Sequence, residues 1–232
     1  SEIGQLSGVY ATDWSWAVLL ADYDNDAQKD MFITNGYLRD FTNMDFVKFH
    51  VDEAIKEERS KGKELFDEKG KRENEDIIFD LVQKIPSTKI SNYAYRNKGD
   101  FQFENVSSKW GLDQLNVSTG AAYADLDLDG DLDLVVTLIN EPPAIYRNKT
   151  NEKFNNGYVS IRLHGNSQNS FAIGAKVWLE TDSSSQLIEN FPVRGYQSSV
   201  DPILHFGLGQ AAAKSIKIIW PNGAVTLDDK PK

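Results

Sequence analysis

Two short segments of the chain carry an aspartate at every second position. Residues 22–30 read Asp-Tyr-Asp-Asn-Asp-Ala-Gln-Lys-Asp, and residues 125–133 read Asp-Leu-Asp-Leu-Asp-Gly-Asp-Leu-Asp. In a tight loop, carboxylates at positions 1, 3 and 5 converge on one point, with a backbone carbonyl at position 7 and another carboxylate at position 9. Ca²⁺ prefers such hard oxygen ligands. Without a cation, these carboxylates would repel one another and raise one another's pKa values. We therefore predict a calcium site in each segment.

The predicted ligands fall at matching positions of the two segments. Each segment contributes four carboxylates and one backbone carbonyl. The first acidic loop (residues 22–30) supplies Asp22, Asp24, Asp26 and Asp30 by side chain and Gln28 by its carbonyl; the second acidic loop (residues 125–133) supplies Asp125, Asp127, Asp129 and Asp133 by side chain and Asp131 by its carbonyl.

The two loops differ at the sixth position, which is Ala27 in the first loop and Gly130 in the second. Glycine permits a positive φ there, whereas alanine in the left-handed region costs on the order of 1 kcal/mol. That cost is small beside several carboxylate–calcium contacts, and the position supplies no side-chain ligand. We expect both loops to bind Ca²⁺, the first more weakly than the second.

Other chemistries for paired carboxylates are less well supported. An EF-hand needs a bidentate glutamate at position 12 and flanking helices, but position 12 is Ile33 in one loop and Val136 in the other. A DxD pair can hold Mn²⁺ in glycosyl transfer, and two carboxylates can hydrolyse glycosides. Recurrence at equivalent positions favours structural sites instead. An acidic surface turn without metal is the remaining alternative.

The histidines show no catalytic pattern. His50, His164 and His205 are scattered, and the chain contains neither an HExxH nor a G-x-S-x-G motif. We interpret the histidines as structural and expect no catalytic activity.

Short apolar runs flank each acidic loop. They cover residues 17–21 and 31–34 around the first loop, and residues 120–124 and 134–139 around the second. Such runs, bounded by turn residues, are typical of buried strands. Each loop is therefore expected to join the two strands of a β-hairpin.

A second motif, Tyr-Arg-Asn-Lys, recurs at residues 95–98 and 146–149. It follows the second acidic loop closely but lies much further from the first, which indicates an insertion at about residues 38–91. Apolar residues at helical spacing within charged sequence predict helices there, over about residues 45–59 and 75–84. A repeat of about 50 residues with several short strands indicates propeller blades.

The sequence after residue 155 alternates apolar and polar residues, as half-buried strands do. The predicted fold class is mainly β: partial β-propeller blades with a helical insertion, and a small C-terminal antiparallel β domain. The predicted domains are a first propeller-type repeat at 1–37, the insertion at 38–91, a second repeat at 92–154 and the β domain at 155–232.

The composition limits the partners. The 232 residues carry a formal net charge of −10 and no cysteine, which argues against nucleic acid as a partner and excludes thiol chemistry. No apolar run approaches the roughly 18 residues of a membrane span. The chain begins in mid-pattern without a signal peptide, so we expect a fragment of a longer protein, and the absence of cysteine leans towards a bacterial source.

The motifs together resemble two families. The acidic loops and residues 95–107 are similar to FG-GAP/VCBS-type repeats, which form blades of integrin-α-like propellers. Residues 173–177, 194–199, 204–209 and 220–223 resemble the ASPIC/UnbV domain. The resemblance implies a calcium-stabilised, non-catalytic scaffold for adhesion or recognition. Such a protein would be extracellular or at the cell surface, or in the periplasm or outer membrane of a bacterium.

The expected partner is a protein or glycan ligand at a cell surface. Arg194, Tyr196 and Gln197 could present a glycan-binding surface, although turn chemistry that shapes the fold is the simpler interpretation. The insertion helices are another candidate docking surface. A closed propeller needs at least about four blades, so two units leave free edges that could self-associate. The alternative function is an accessory or catalytic module for polysaccharide binding and degradation.

Overall fold

The computed structural model describes residues 2–42, 44–61, 79, 82, 83, 85–229 and 231. Its regular structure is mainly β, in antiparallel sheets, which confirms the predicted fold class. The described strands are β1 (Ser15–Ala21), β2 (Asp30–Asn35), β3 (Ile90–Ser91), β4 (Tyr93–Asn97), β5 (Phe103–Asn105), β6 (Leu115–Asn116), β7 (Ser118–Ala124), β8 (Asp133–Leu138), β9 (Ala144–Tyr146), β10 (Gly157–Ile161), β11 (Lys176–Glu180), β12 (Ser185–Glu189), β13 (Leu204–Gly209), β14 (Ser215–Ile219) and β15 (Val225–Asp228); the described helices are α1 (Gly4–Ser7), α2 (Met44–Ser60) and α3 (Thr150–Lys153).

Two sheets repeat one plan, as expected of propeller blades. The first blade sheet has the strand order β1–β2–β4–β5, and the second has the order β7–β8–β9. In each sheet an acidic loop joins a hairpin, with Ala21 opposite Asp30 in one and Ala124 opposite Asp133 in the other. The strand that carries the Tyr-Arg-Asn motif, β4 or β9, pairs with the second strand of its hairpin.

The two blade sheets share one apolar core. Leu19 and Phe32 of the first sheet and Val136 of the second are at most 1% exposed and belong to the same cluster. Burying a side chain of this size contributes about 1.5–3 kcal/mol. The core therefore holds the two acidic loops in a fixed relation to each other.

The C-terminal strands form a separate apolar core. A four-stranded sheet, β12–β11–β14–β15, packs with the two-stranded pair β10–β13. Alternation along β11 points Val177 and Leu179 inward, where both are fully buried against Phe206 of β13. The second strand of the pair, β13, also approaches the acidic loops.

The insertion leaves and re-enters the first blade sheet at neighbouring points. The backbones of Tyr37 and Thr88 exchange hydrogen bonds of 3.1 and 3.0 Å, and Asp40 N–H donates to the Pro86 carbonyl at 2.9 Å. The predicted helix near residues 45–59 is confirmed as α2, whereas most of the one predicted at 75–84 lies outside the described residues. Among the helices described, none combines the length and apolarity that a bilayer crossing requires.

Thr34 connects the first blade sheet to the second through hydrogen bonds of its side chain. Its fully buried Oγ1 accepts a hydrogen bond from Ala17 N–H at 2.9 Å and donates one to the Thr119 carbonyl at 2.6 Å. Thr137 takes the equivalent place in the second hairpin, where its exposed Oγ1 donates to the Gly120 carbonyl at 3.0 Å. The buried threonine joins two sheets, whereas the exposed one joins two strands of a single sheet.

Thr34→Val is therefore expected to lower the free energy of unfolding by about 2 kcal/mol, since it removes two buried hydrogen bonds at constant shape. The matched control Thr137→Val should change it by less than about 1 kcal/mol because water can replace the lost bond. Urea unfolding measures both values. Equal losses in the two variants would contradict the assigned role of Thr34.

Candidate metal centres

The first acidic loop brings three predicted ligands together in the protein interior. Asp22, Asp24 and Asp30 each offer a carboxylate oxygen within 4.8 Å of the others, and they are 5%, 6% and 0% exposed. Burial, added to by the charge of Asp26, raises the pKa of Asp22 to about 7, and burial raises the pKa of Asp30 to about 8. A negative cluster this deep is costly unless a positive group compensates it.

Backbone hydrogen bonds fix two of these carboxylates. The Asp22 carboxylate accepts from the N–H groups of Asp26 and Ala27 at 3.0 and 2.8 Å. The Asp30 carboxylate accepts from Tyr23 N–H at 3.1 Å and from Asn97 N–H at 2.9 Å. The chain itself thus sets the shape of the loop, and the Tyr-Arg-Asn motif supplies one of the donors.

The second acidic loop repeats this pattern bond by bond. Asp125 accepts from the N–H groups four and five residues later, at 3.1 and 3.0 Å. Asp133 accepts from Leu126 N–H at 3.0 Å and from Asn148 N–H at 2.7 Å. Since the two loops are built alike, one interpretation serves for both.

The carboxylates that converge differ between the loops. In the second loop the group within 4.8 Å consists of Asp125, Asp127 and Asp129, of which Asp127 is exposed. Asp26 lies outside the first group and Asp133 outside the second. Their roles as ligands, and those of the Gln28 and Asp131 carbonyls, stay predictions.

One arginine, absent from the predicted ligands, neutralises part of each cluster. Arg96 Nε lies 2.6 Å from Asp24 Oδ2, and its Nη2 lies 3.0 Å from Asp26 Oδ2. Arg147 pairs with the same positions, 3 and 5, of the second loop at 2.7 and 3.4 Å. In the sequence their signal is the Arg of the repeated Tyr-Arg-Asn motif, whose recurrence indicates repeats but not ion pairs.

The residues of the first loop fit a hard divalent cation. Its three clustered carboxylates supply oxygen ligands of the kind that Ca²⁺ prefers. Asp24 Oδ1 is buried without a hydrogen-bond partner, and a buried oxygen left in that way is destabilising. The second loop offers the same donor chemistry nearer the surface.

Asn25 connects the two acidic loops to each other and to the C-terminal strands. It is 2% exposed and has a left-handed backbone with φ of 57°. Its Nδ2 donates to the Gly130 carbonyl at 3.2 Å and to Asp131 Oδ1 at 3.1 Å, while its Oδ1 accepts from His205 Nε2 at 2.7 Å. One buried side chain therefore links three segments that are distant in sequence.

His205 lies in this network as a neutral side chain. Burial lowers the pKa of its imidazole to about 4, so the ring is neutral. Because the amide oxygen of Asn25 can only accept, Nε2 carries the proton of this hydrogen bond. Its Nδ1 lies 3.4 Å from Ser160 Oγ, and its ring stacks on Tyr158. The other two histidines lie elsewhere: His50 packs against phenylalanines of α2 and His164 is exposed.

Glycines allow the C-terminal strands to approach both loops. A Cβ added to Gly207 would lie 2.0 Å from Asp22 Oδ2, and one added to Gly130 would lie 2.0 Å from Tyr158 Cε1. Ala27 and Gly130 both have positive φ, at 74° and 92°. In the first loop, the residue at the sixth position must only adopt a positive φ. In the second loop it must also leave room for the Tyr158 ring.

Two family models match separate parts of the chain. Residues 165–230 match the model described as ASPIC and UnbV, and residues 86–136 match the FG-GAP-like repeat. The first match takes in β11 to β15, and the second includes the second acidic loop. Both resemblances expected from the motifs are confirmed.

The chain is also similar to curated proteins named Cartilage acidic protein 1, as the order of repeat and ASPIC/UnbV domain predicts. The human protein is 32% identical over 156 residues, which cover 64% of this chain and 23% of that protein. The Xenopus tropicalis protein is 33% identical over 113 residues, which cover 46% and 17%. The chain thus spans less than a quarter of the length of these relatives.

Asn25→Ala is expected to lower the free energy of unfolding by about 2–3 kcal/mol, because it leaves buried partners in the second acidic loop and on β13 without their hydrogen bonds. Leu128 is the matched control, since it holds the same position of the second loop with φ of 62° and is 83% exposed. Leu128→Ala should change stability by about 0.5 kcal/mol or less. Urea unfolding in chelator excludes any contribution from a cation. A loss below about 1 kcal/mol for Asn25→Ala would contradict the network.

Exchanging the sixth-position residues should have opposite effects in the two loops. Ala27→Gly removes left-handed strain and should raise the free energy of unfolding by less than about 1 kcal/mol. Gly130→Ala adds both strain and a collision with Tyr158, and should lower it by about 2 kcal/mol or more. Thermal unfolding of the two variants tests this asymmetry. Similar losses of stability in the two variants would show that the Tyr158 ring does not require a glycine at the position of Gly130.

Proposed function

We propose that the chain is a calcium-stabilised, non-catalytic scaffold or recognition module of an extracellular or surface-exposed protein, and that it is part of a longer protein. The observation that carries this proposal is that each of the two acidic loops holds a cluster of three carboxylates. In equivalent loops of two blade sheets, three carboxylate oxygens converge within 4.8 Å and the same backbone and arginine contacts surround them.

The proposed calcium ligands include the converging carboxylates of each loop. Asp22, Asp24 and Asp30 would hold one ion, and Asp125, Asp127 and Asp129 the other. The predicted set is completed by Asp26, Asp133 and the carbonyls of Gln28 and Asp131. In each cluster the negative charge of the carboxylates exceeds the positive charge of the one arginine that pairs with it. Bound Ca²⁺ would supply further positive charge. Asn25 hydrogen-bonds both to the second loop and to His205 of β13. The charge balance of the loops would therefore also affect the position of the C-terminal strands.

The location of the first cluster supports a structural role over a catalytic one. Its carboxylates are at most 6% exposed, and backbone N–H groups hold two of them in place. A general acid or base must reach a substrate within hydrogen-bond distance. His205 has two neutral partners, Asn25 and Ser160. This arrangement is typical of a packed hydrogen-bond network and not of a proton relay.

The proposed partner is a protein or glycan at a cell surface. Support comes from the FG-GAP-like repeat and from relatives whose name places them with cartilage. Tyr196 packs on Trp16 with ring centroids 5.0 Å apart and is 36% exposed, so an aromatic face is available beside Arg194. Strands β5 and β9 end their sheets and offer edges through which the chain could self-associate.

Calcium is expected to raise the melting temperature of the chain relative to chelator, since a ligand that binds only the folded state stabilises it by about 2.7 kcal/mol at 100 times its Kd. Calorimetric titration should give two sites. Asp24→Asn and Asp127→Asn, at the same position of the two loops, should each abolish one of them. Asp113→Asn, an exposed aspartate outside both loops, is the control and should retain both.

The same titration ranks the loops. The site left in Asp127→Asn, which is the first loop, should be weaker than the site left in Asp24→Asn because Ala27 strains the first loop. The reverse order would overturn the ranking alone. A melting temperature that Ca²⁺ leaves unchanged would overturn the proposed function.

A further inference from the structure

A cavity of about 350 Å³ is lined by residues of both blade sheets and of the acidic loops, and Asp24 is the one clustered carboxylate in its wall. Its apolar wall comes from both sheets and includes Phe32, Leu132 and Leu134, all buried. Trp110 and Phe154 add aromatic surface, and Phe154 is 57% exposed. Pockets of about 300–1,000 Å³ with such walls commonly hold small organic molecules.

Several buried polar atoms at this cavity lack partners. Tyr23 and Tyr146 both line it, and the hydroxyl of each is buried without a hydrogen bond, as is Asp24 Oδ1. Tyr23 is only 5% exposed. A fourth atom, Arg96 Nε, pairs with Asp24 outside hydrogen-bond geometry. Buried polar groups in folded proteins normally have partners. The two tyrosine hydroxyls are closed to solvent and add no donor to the open volume of the cavity, so its polar character comes from the charged residues of its wall.

The charge around the cavity is opposite to that of the chain as a whole. The chain has a net charge of −10, yet five cationic residues line the cavity and, within the described residues, Asp24 is its one acidic member. Three of the cations, Arg96, Arg147 and Lys149, are engaged with carboxylates. For the other two, the described part of the chain provides no ion pair. The cationic lining residues are Arg96, Lys109, Arg147, Lys149 and Lys153.

We propose that this cavity binds a small organic anion with an apolar body, such as an aryl or acyl carboxylate or sulfonate. The apolar body packs against Phe32, Leu134 and Trp110. The charged group is attracted by Lys109 and Lys153, the cations without a described carboxylate partner. A neutral apolar ligand would satisfy the wall but not the lysines.

Calorimetric titration of the 232-residue chain with naphthalene-2-sulfonate, in saturating Ca²⁺, tests the proposal. The neutral naphthalene-2-sulfonamide has the same apolar body and isolates the effect of charge. We expect the sulfonate to bind at least about tenfold more tightly than the sulfonamide. No binding of the sulfonate, or equal affinities for the two compounds, would overturn the proposal.

Variants assign the binding to this cavity. Lys109→Gln and Lys153→Gln should each weaken sulfonate binding by about threefold or more, whereas Lys176→Gln, an exposed lysine on β11 outside the cavity, should leave it unchanged. The melting temperature of each lysine variant should equal that of the unmodified chain, which separates loss of a ligand contact from loss of folding.

Sulfonate binding that both lysine variants leave unchanged would place the anion elsewhere on the molecule and overturn the proposal. Calcium binding is measured separately on the acidic loops, so failure here does not bear on the proposed function. Loss of calcium binding with retained sulfonate binding would, in turn, leave the cavity proposal standing.

Discussion

Burial of carboxylates in the first acidic loop is the constraint on which the rest of the structure depends. Asp22, Asp24 and Asp30 lie within the core region of the two blade sheets, where an uncompensated charge is strongly unfavourable. Backbone N–H groups and Arg96 meet part of this demand. The motif that supplies Arg96 must follow on the adjacent strand, so the order of acidic loop, hairpin and Tyr-Arg-Asn strand has an electrostatic reason. The same order recurs in the second sheet with Arg147.

Local sequence patterns predicted the parts of this arrangement that are local. The aspartate spacing located both loops, and the flanking apolar runs located the hairpins, because a tight loop and a buried strand each leave a signature within a few residues. The contacts of Asn25 leave none. Its partners Gly130 and His205 are 105 and 180 residues away, so only the folded chain shows that this asparagine is central to the site.

The sixth position illustrates a difference between a backbone requirement and a packing requirement. Sequence alone predicted a positive φ at both Ala27 and Gly130, and both adopt it. It could not predict that Tyr158 occupies the space beside Gly130, since Tyr158 belongs to β10, which follows the second blade sheet in sequence. The arginines are an intermediate case: their recurrence was visible in the sequence, but their ion pairs depend on how β4 and β9 lie beside the loops.

The closely spaced ends of the insertion have a consequence for how this chain can change. Backbone hydrogen bonds between Tyr37 and Thr88 close the insertion at its base and hold its two ends side by side next to the first blade sheet. Closing a longer flexible loop costs only about 0.6 kcal/mol for each doubling of its length. We therefore expect the first blade to accept inserted segments of different length or binding specificity between Tyr37 and Thr88. The repeated sheets and their acidic loops would stay intact.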